Sequence, residues 1–129
     1  MKENQSSSPT PSELAILQIL WKDGPSTVKH IHEKLSEEKE VVYTTILKTM
    51  QVMSERGMLR RTAKGRKHIY QAAVDQDDTQ DQLLDRFLDK TFSGSASKLV
   101  LKALGNYNAS KEELDLIKQF IEKKKNNKK

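Results

Sequence analysis

A chain of 129 residues leaves room for one ordinary domain or two very small ones, and 35% hydrophobic against 32% charged residues reads as lean but globular, with only the ends too polar to fold. The lack of cysteine excludes a disulfide framework, a thiolate metal site and a thiol redox sensor. No apolar run nears the ~20 residues of a membrane span and the polar start is no signal peptide, so the expectation is a cytoplasmic protein without direct membrane insertion, whose net charge of +5 suits an anionic partner.

Residues 1–9, MKENQSSSP, are serine-rich and polar and predict a flexible tail. Thr10-Pro11-Ser12-Glu13 then starts a helix: Thr10 can cap, Pro11 suits the first helical position, and Glu13 completes a capping box. Leu14, Leu17 and Trp21 follow at helical spacing, with Ile16 and Leu20 beside them, until Asp23-Gly24-Pro25 forbids continuation. Ser26 is expected to cap a second helix with Val28, Ile31 and Leu35 inward, and Ser36-Glu37-Glu38-Lys39-Glu40 makes the next turn.

The following stretch, Val41 to Ala73, organises the rest. Ile46, Met50 and Met53 form the apolar stripe of a docked helix, while Thr44, Lys48, Gln51 and Glu55 point away from it, with Thr45 and Val52 on the flank. Gly57 stops this helix. Two strand-like runs come next, Met58 to Thr62 and Lys67 to Gln71, joined by Ala63-Lys64-Gly65-Arg66. Helix, helix, turn, helix, hairpin is the order of a winged helix-turn-helix, placed at residues 10–74, with the third helix as its recognition element.

Lys48, Arg56, Arg60, Arg61, Lys64, Arg66 and Lys67 meet only Glu55 between Val41 and Val74, so this stretch of the chain holds the basic excess. A helix face of small hydroxyls and lysine suits a major groove, and a basic hairpin suits phosphates. The expected DNA contacts are Tyr43, Thr44, Thr45, Lys48 and Gln51 on the helix, and Lys64, Arg66 and Lys67 at the hairpin. Tyr70 is expected to pack instead. The same charges could be a solvated surface that binds nothing, or a module whose hairpin takes an acidic protein partner.

After Val74 the composition turns acidic, with Asp75, Asp77, Asp78, Asp81, Asp85 and Asp89. Leu83, Leu84, Phe87, Leu88 and Phe92 recur as an amphipathic helix, which Ser93-Gly94-Ser95 breaks. A short apolar helix from Ser97 to Leu104 closes at Gly105-Asn106. Ser110 and Glu113 box a last helix striped by Leu114, Ile117 and Ile121, with Leu116 and Phe120 alongside. Residues 75–122 are too few to bury three apolar stripes among themselves, and a helical dimerisation region is the economical reading. Leu84, Phe87, Leu88, Leu101, Leu116 and Phe120 are expected across the two-fold interface; the alternative is that these helices fold back on the winged domain. Residues 123–129 read as a basic tail that frays.

Nothing here suits an enzyme. There is no glycine-rich phosphate loop, nucleophile elbow or metalloprotease helix. His30 and His32 are two apart and face different ways on a helix, His68 stands alone, and the aspartates after Val74 lack the glycine-turned loop of a calcium site. No catalytic residue, metal or cofactor is expected.

Tyr43-Thr44-Thr45-Ile46, Met50, Met53, Gly57-Met58-Leu59-Arg60-Arg61, Gly65-Arg66 and Tyr70 resemble, in order and spacing, the penicillinase repressor family (BlaI/MecI/CopY). Ser12-Glu13-Leu14, Leu20-Trp21 and Ser97-Lys98-Leu99-Val100-Leu101 extend the likeness over residues 10–122. The resemblance implies a mainly α protein with a small β-hairpin wing: an N-terminal winged helix-turn-helix plus a C-terminal three-helix dimerisation region. It also implies a homodimeric transcriptional repressor on a palindromic, double-stranded DNA operator. In the family's β-lactam branch a membrane-bound zinc metalloprotease sensor triggers a cut between an asparagine and a phenylalanine, just after the segment matching Leu99-Val100-Leu101. This chain has Lys102-Ala103 there, which becomes the candidate cleavage site, with such a sensor as a further expected partner. The copper branch uses a C-terminal cysteine cluster, for which this chain has no ligand.

Overall fold

The computed structural model describes residues 8–128; the expected tail over residues 1–7, and Lys129, lie outside the described residues. The elements run α1 (Pro11–Asp23), α2 (Val28–Ser36), α3 (Tyr43–Glu55), β1 (Leu59–Lys64), β2 (Lys67–Ala72), α4 (Gln76–Phe92), α5 (Ala96–Asn106) and α6 (Lys111–Asn126). The chain forms two compact units, the first reaching Leu84 and the second beginning at Asp85, so α4 runs through the division.

In the first unit, α1 opens with the expected capping box. Thr10 Oγ1 accepts the Glu13 N–H at 3.2 Å, and the Glu13 carboxylate accepts the Thr10 N–H at 3.0 Å. That carboxylate is buried, and it also accepts from Arg56 Nη1 at 3.0 Å. One charge thus caps α1 and ties it to the end of α3, which satisfies a carboxylate that would be costly to bury alone.

The start of α2 differs from expectation. Thr27, not Ser26, is the cap, its Oγ1 accepting the His30 N–H at 3.1 Å. The backbone of Ser26 is committed elsewhere: it exchanges two 2.8 Å hydrogen bonds with Tyr70 in β2. An extended residue paired to a strand cannot also be the helix boundary, so α2 begins one residue later.

Gly57, with φ of 85°, ends α3 as a Schellman motif. The Met58 N–H reaches the Met53 carbonyl at 2.9 Å and the Gly57 N–H reaches that of Ser54 at 3.2 Å. The antiparallel hairpin pairs Leu59 with Ala72 through Lys64 with Lys67, so its turn is only Gly65-Arg66, and Ala63 and Lys64 belong to the strand. Gly65 takes φ of 64° at the first turn position and Arg66 stays at negative φ, the pattern of a type II′ turn whose twist matches its strands.

The core joins Ile16, Leu17 and Leu20 of α1, Val28 and Ile31 of α2, Ile46, Met50 and Met53 of α3, and Met58, Leu59 and Tyr70 from the wing. Tyr70 packs, as expected. Leu14 and Trp21 are only half-buried, because α1 turns the Ile16–Leu17–Leu20 side inward. The Trp21 indole N–H instead donates to the Val74 carbonyl at 3.1 Å, pinning the chain as it leaves β2.

In the second unit, Ser93 and Gly94 make the break at φ of 51° and 83°. Ser95 caps α5, accepting the Lys98 N–H at 3.2 Å. A second capping box joins Ser110 and Glu113. α6 continues through Asn126, past the start of the expected basic tail, with Lys123, Lys124 and Lys125 in its last turn, where cations offset the helix dipole. No residue of α5 or α6 is buried.

Candidate nucleic-acid interface

Docking α3 through Ile46, Met50 and Met53 decides which side chains it shows to solvent. Tyr43, Thr44, Thr45, Lys48, Gln51 and Glu55 are all exposed. At about 100° per residue, Thr44 lies near the middle of this arc, Tyr43 and Gln51 lie toward one side, and Lys48 and Thr45 toward the other.

The wing flanks the Tyr43 side. Its register puts Leu59, Arg61 and Ala63 on one face with Ala72, Tyr70 and His68. Leu59 and Tyr70 anchor that face in the core, so Arg61 and His68, farther out, look along it toward the helices. Between α2, α3 and the wing is a cleft of about 380 Å³, walled by Thr27, Val28 and Lys29, by Tyr43, Leu47 and Gln51, and by Arg61, Arg66, Lys67, His68 and Tyr70. Its rim is basic and its floor is partly aromatic.

The structure therefore brings Tyr43, Gln51, Arg66 and Lys67 to one site. Thr45 and Lys48 border a separate, more open depression with Glu13, Thr49 and Val52, on the α1 side of the same helix. Lys64 is exposed at the end of β1, beside the turn. Lys29, Arg61 and His68 were not among the expected contacts. For Arg61 a signal existed, since strand alternation from a packing Tyr70 puts its cross-strand partner on the same face. Lys29 arrives through the packing of α2, which no local pattern reveals. Arg56, counted in the basic run, is paired with the buried Glu13 carboxylate through Nη1 at 3.0 Å.

His30 meets Asp23 at 2.7 Å, and this hydrogen bond holds the Asp23 carboxyl below its usual range. His32 Nε2 meets the Val41 carbonyl at 2.8 Å, and His68 is exposed on β2. Among the described residues, no three histidine or carboxylate side chains gather to hold a metal ion. Leu84, Phe87, Leu101, Leu116 and Phe120 are exposed and Leu88 is half-buried, while Lys102 and Ala103 are exposed within α5.

The chain is 26% identical over 118 residues to the penicillinase repressor of Bacillus licheniformis, covering 92% of each chain. It is 20% identical over 122 residues to the methicillin resistance regulatory protein MecI of Staphylococcus aureus, covering 95% of this chain and 99% of that one. In fold it is similar to the solution structure of the DNA-binding domain of the repressor BlaI, with a TM-score of 0.51 and 22% identity over 60% of this chain and 93% of that one. That likeness establishes the winged helix. Matched over residues 9–123 by the family model for the penicillinase repressor, the chain belongs to that family, one of transcriptional repressors and not of enzymes.

Proposed function

We propose that this chain is a homodimeric transcriptional repressor that reads a palindromic DNA operator with α3, grips phosphates with its wing, and is released by cleavage in α5 after a signal from a membrane-bound metalloprotease sensor. The observation that carries the DNA reading is the juxtaposition of an exposed polar face on α3 with a basic wing, on the fold of a repressor family. Footprinting on the DNA upstream of its own gene, at several salt concentrations, tests it. A protected palindrome whose affinity falls steeply with salt is expected, because phosphate contacts release counterions. A chain that protects no DNA at any of these salt concentrations would favour the acidic protein partner instead.

Base reading and phosphate binding separate in two variants. Thr44 offers a hydroxyl and a methyl from the first turn of α3, where recognition helices meet base edges. Thr44→Ala is expected to cost about 1–3 kcal/mol on the operator and little on random duplex. Equal weakening on both would remove Thr44 from base reading. Arg66 stands at the wing turn, where contact with phosphate carries no sequence information. Arg66→Ala should weaken all duplexes alike and lower the slope of log affinity against log salt by about one. An unchanged slope would put the wing tip away from DNA.

A further inference from the structure

The recognition helix begins without a cap of its own. Position 42 is valine, which offers no acceptor, and no side-chain hydrogen bond closes the start of α3. What holds this start comes from α2. The His32 imidazole donates from Nε2 to the Val41 carbonyl at 2.8 Å, and because a carbonyl only accepts, that bond puts a proton on Nε2. The same ring meets Tyr43 edge-on, with centroids 5.5 Å apart and planes at 77°, an arrangement that aromatic quadrupoles favour. The Ser36 hydroxyl, one turn along α2, lies 3.4 Å from the same nitrogen. Tyr43, braced in this way, lines the basic cleft with Arg61, Arg66 and Lys67.

We propose that His32 is a positioning residue of the DNA-binding surface: oriented by its bond to the Val41 carbonyl, its ring holds the Tyr43 ring at the edge of the cleft. It does so without touching DNA itself. Tyr43 is 43% exposed, and without a neighbour its side chain would be free to leave the position from which its hydroxyl can meet a phosphate. Ordering it on binding would then cost affinity, which the His32 contact avoids by ordering it beforehand. The inference rests on reading α3 and the wing as the DNA-binding surface.

A double-mutant cycle tests it. Affinity is measured for the wild type, His32→Ala, Tyr43→Ala and the double variant, on the upstream duplex protected in the footprint and on a scrambled duplex of equal length. Melting of each variant is followed separately. Each single change is expected to weaken binding about tenfold, and the double change also about tenfold, where independent effects would multiply to about a hundredfold. His32→Phe keeps a ring against Tyr43 and should bind within about threefold of wild type. If His32→Ala does not fold, His32→Gln, which keeps a donor for the Val41 carbonyl, takes its place in the cycle. Multiplying losses, wild-type affinity in the His32→Ala (or Gln) chain, or a phenylalanine variant as weak as that chain would each overturn the proposal. A wild-type chain that binds neither duplex would remove the DNA-binding reading and this inference with it.

Discussion

With Leu101→Asp and Phe120→Asp together, the full-length chain is expected to sediment as a monomer and to bind a duplex with two half-sites about 10²–10⁴-fold more weakly. Its affinity for a single half-site should not change. The argument begins with what α5 and α6 leave uncovered. Leu101, Leu116 and Phe120 are 69%, 65% and 63% exposed in the single chain, and nothing on either helix is buried. Exposed apolar surface is worth about 25 cal/mol per Å² when it is removed from water, so helices that hold it open gain by meeting a second copy. A carboxylate placed there loses that gain and adds an unpaired charge that is costly to desolvate. Both positions lie in the second unit, outside the winged unit itself. The drop in affinity then reports the loss of linkage between two readers. Sedimentation of the unaltered chain as a monomer at micromolar concentration, or full two-site affinity in the variant, would defeat the dimer.

What could be read from the chain beforehand was mostly local. The boxes at Thr10–Glu13 and Ser110–Glu113, and the glycine stop at Gly57, depend on residues three or four apart, and the structure holds all of them. The stripe Ile46–Met50–Met53 decided the orientation of α3, and with it which polar residues are exposed. What escaped was settled by distant partners. Ser26 and Thr27 are adjacent hydroxyls, each able to cap, and only pairing with Tyr70 decides between them. Arg56 looked like one more free cation until Glu13, 43 residues earlier, engaged it. The cleft is likewise a product of packing: strand alternation from Tyr70 puts Arg61 and His68 on one face of the wing, but no spacing along the chain brings Lys29 of α2 to meet them. At the other end local propensity carries α6 past the start of the expected tail. The lysines after Ile121 looked like a solvated tail, yet they are good helix formers at the end of a helix where positive charge is favoured.

Repressor recovered from induced cells is expected to be cut between Lys102 and Ala103. Both residues are exposed, and α5 buries none of its side chains within one chain, so the local opening a protease needs is opposed by the helix's own hydrogen bonds and by the pairing of Leu101 with the second copy alone. A cut there would separate α6, with Leu116 and Phe120, from the half of α5 that carries Leu99 and Leu101. The interface argued above would lose part of its apolar surface from each copy, and dissociation would then empty the operator by mass action. The fall in operator affinity should approach that of the Leu101→Asp, Phe120→Asp chain, about 10²–10⁴-fold. That consequence does not depend on which residues flank the bond. The recognition chemistry does, because a small alanine follows the bond here where the resemblance places a bulky aromatic. An enzyme that cuts there should therefore have a pocket fitted to a methyl group, and a peptide with phenylalanine in place of Ala103 should be the poorer substrate. Mass spectrometry of the protein before and after induction decides the matter. Fragments ending at Lys102 and beginning at Ala103 would establish the cut, whereas an intact chain under full derepression would exclude it and assign release to a bound ligand or partner.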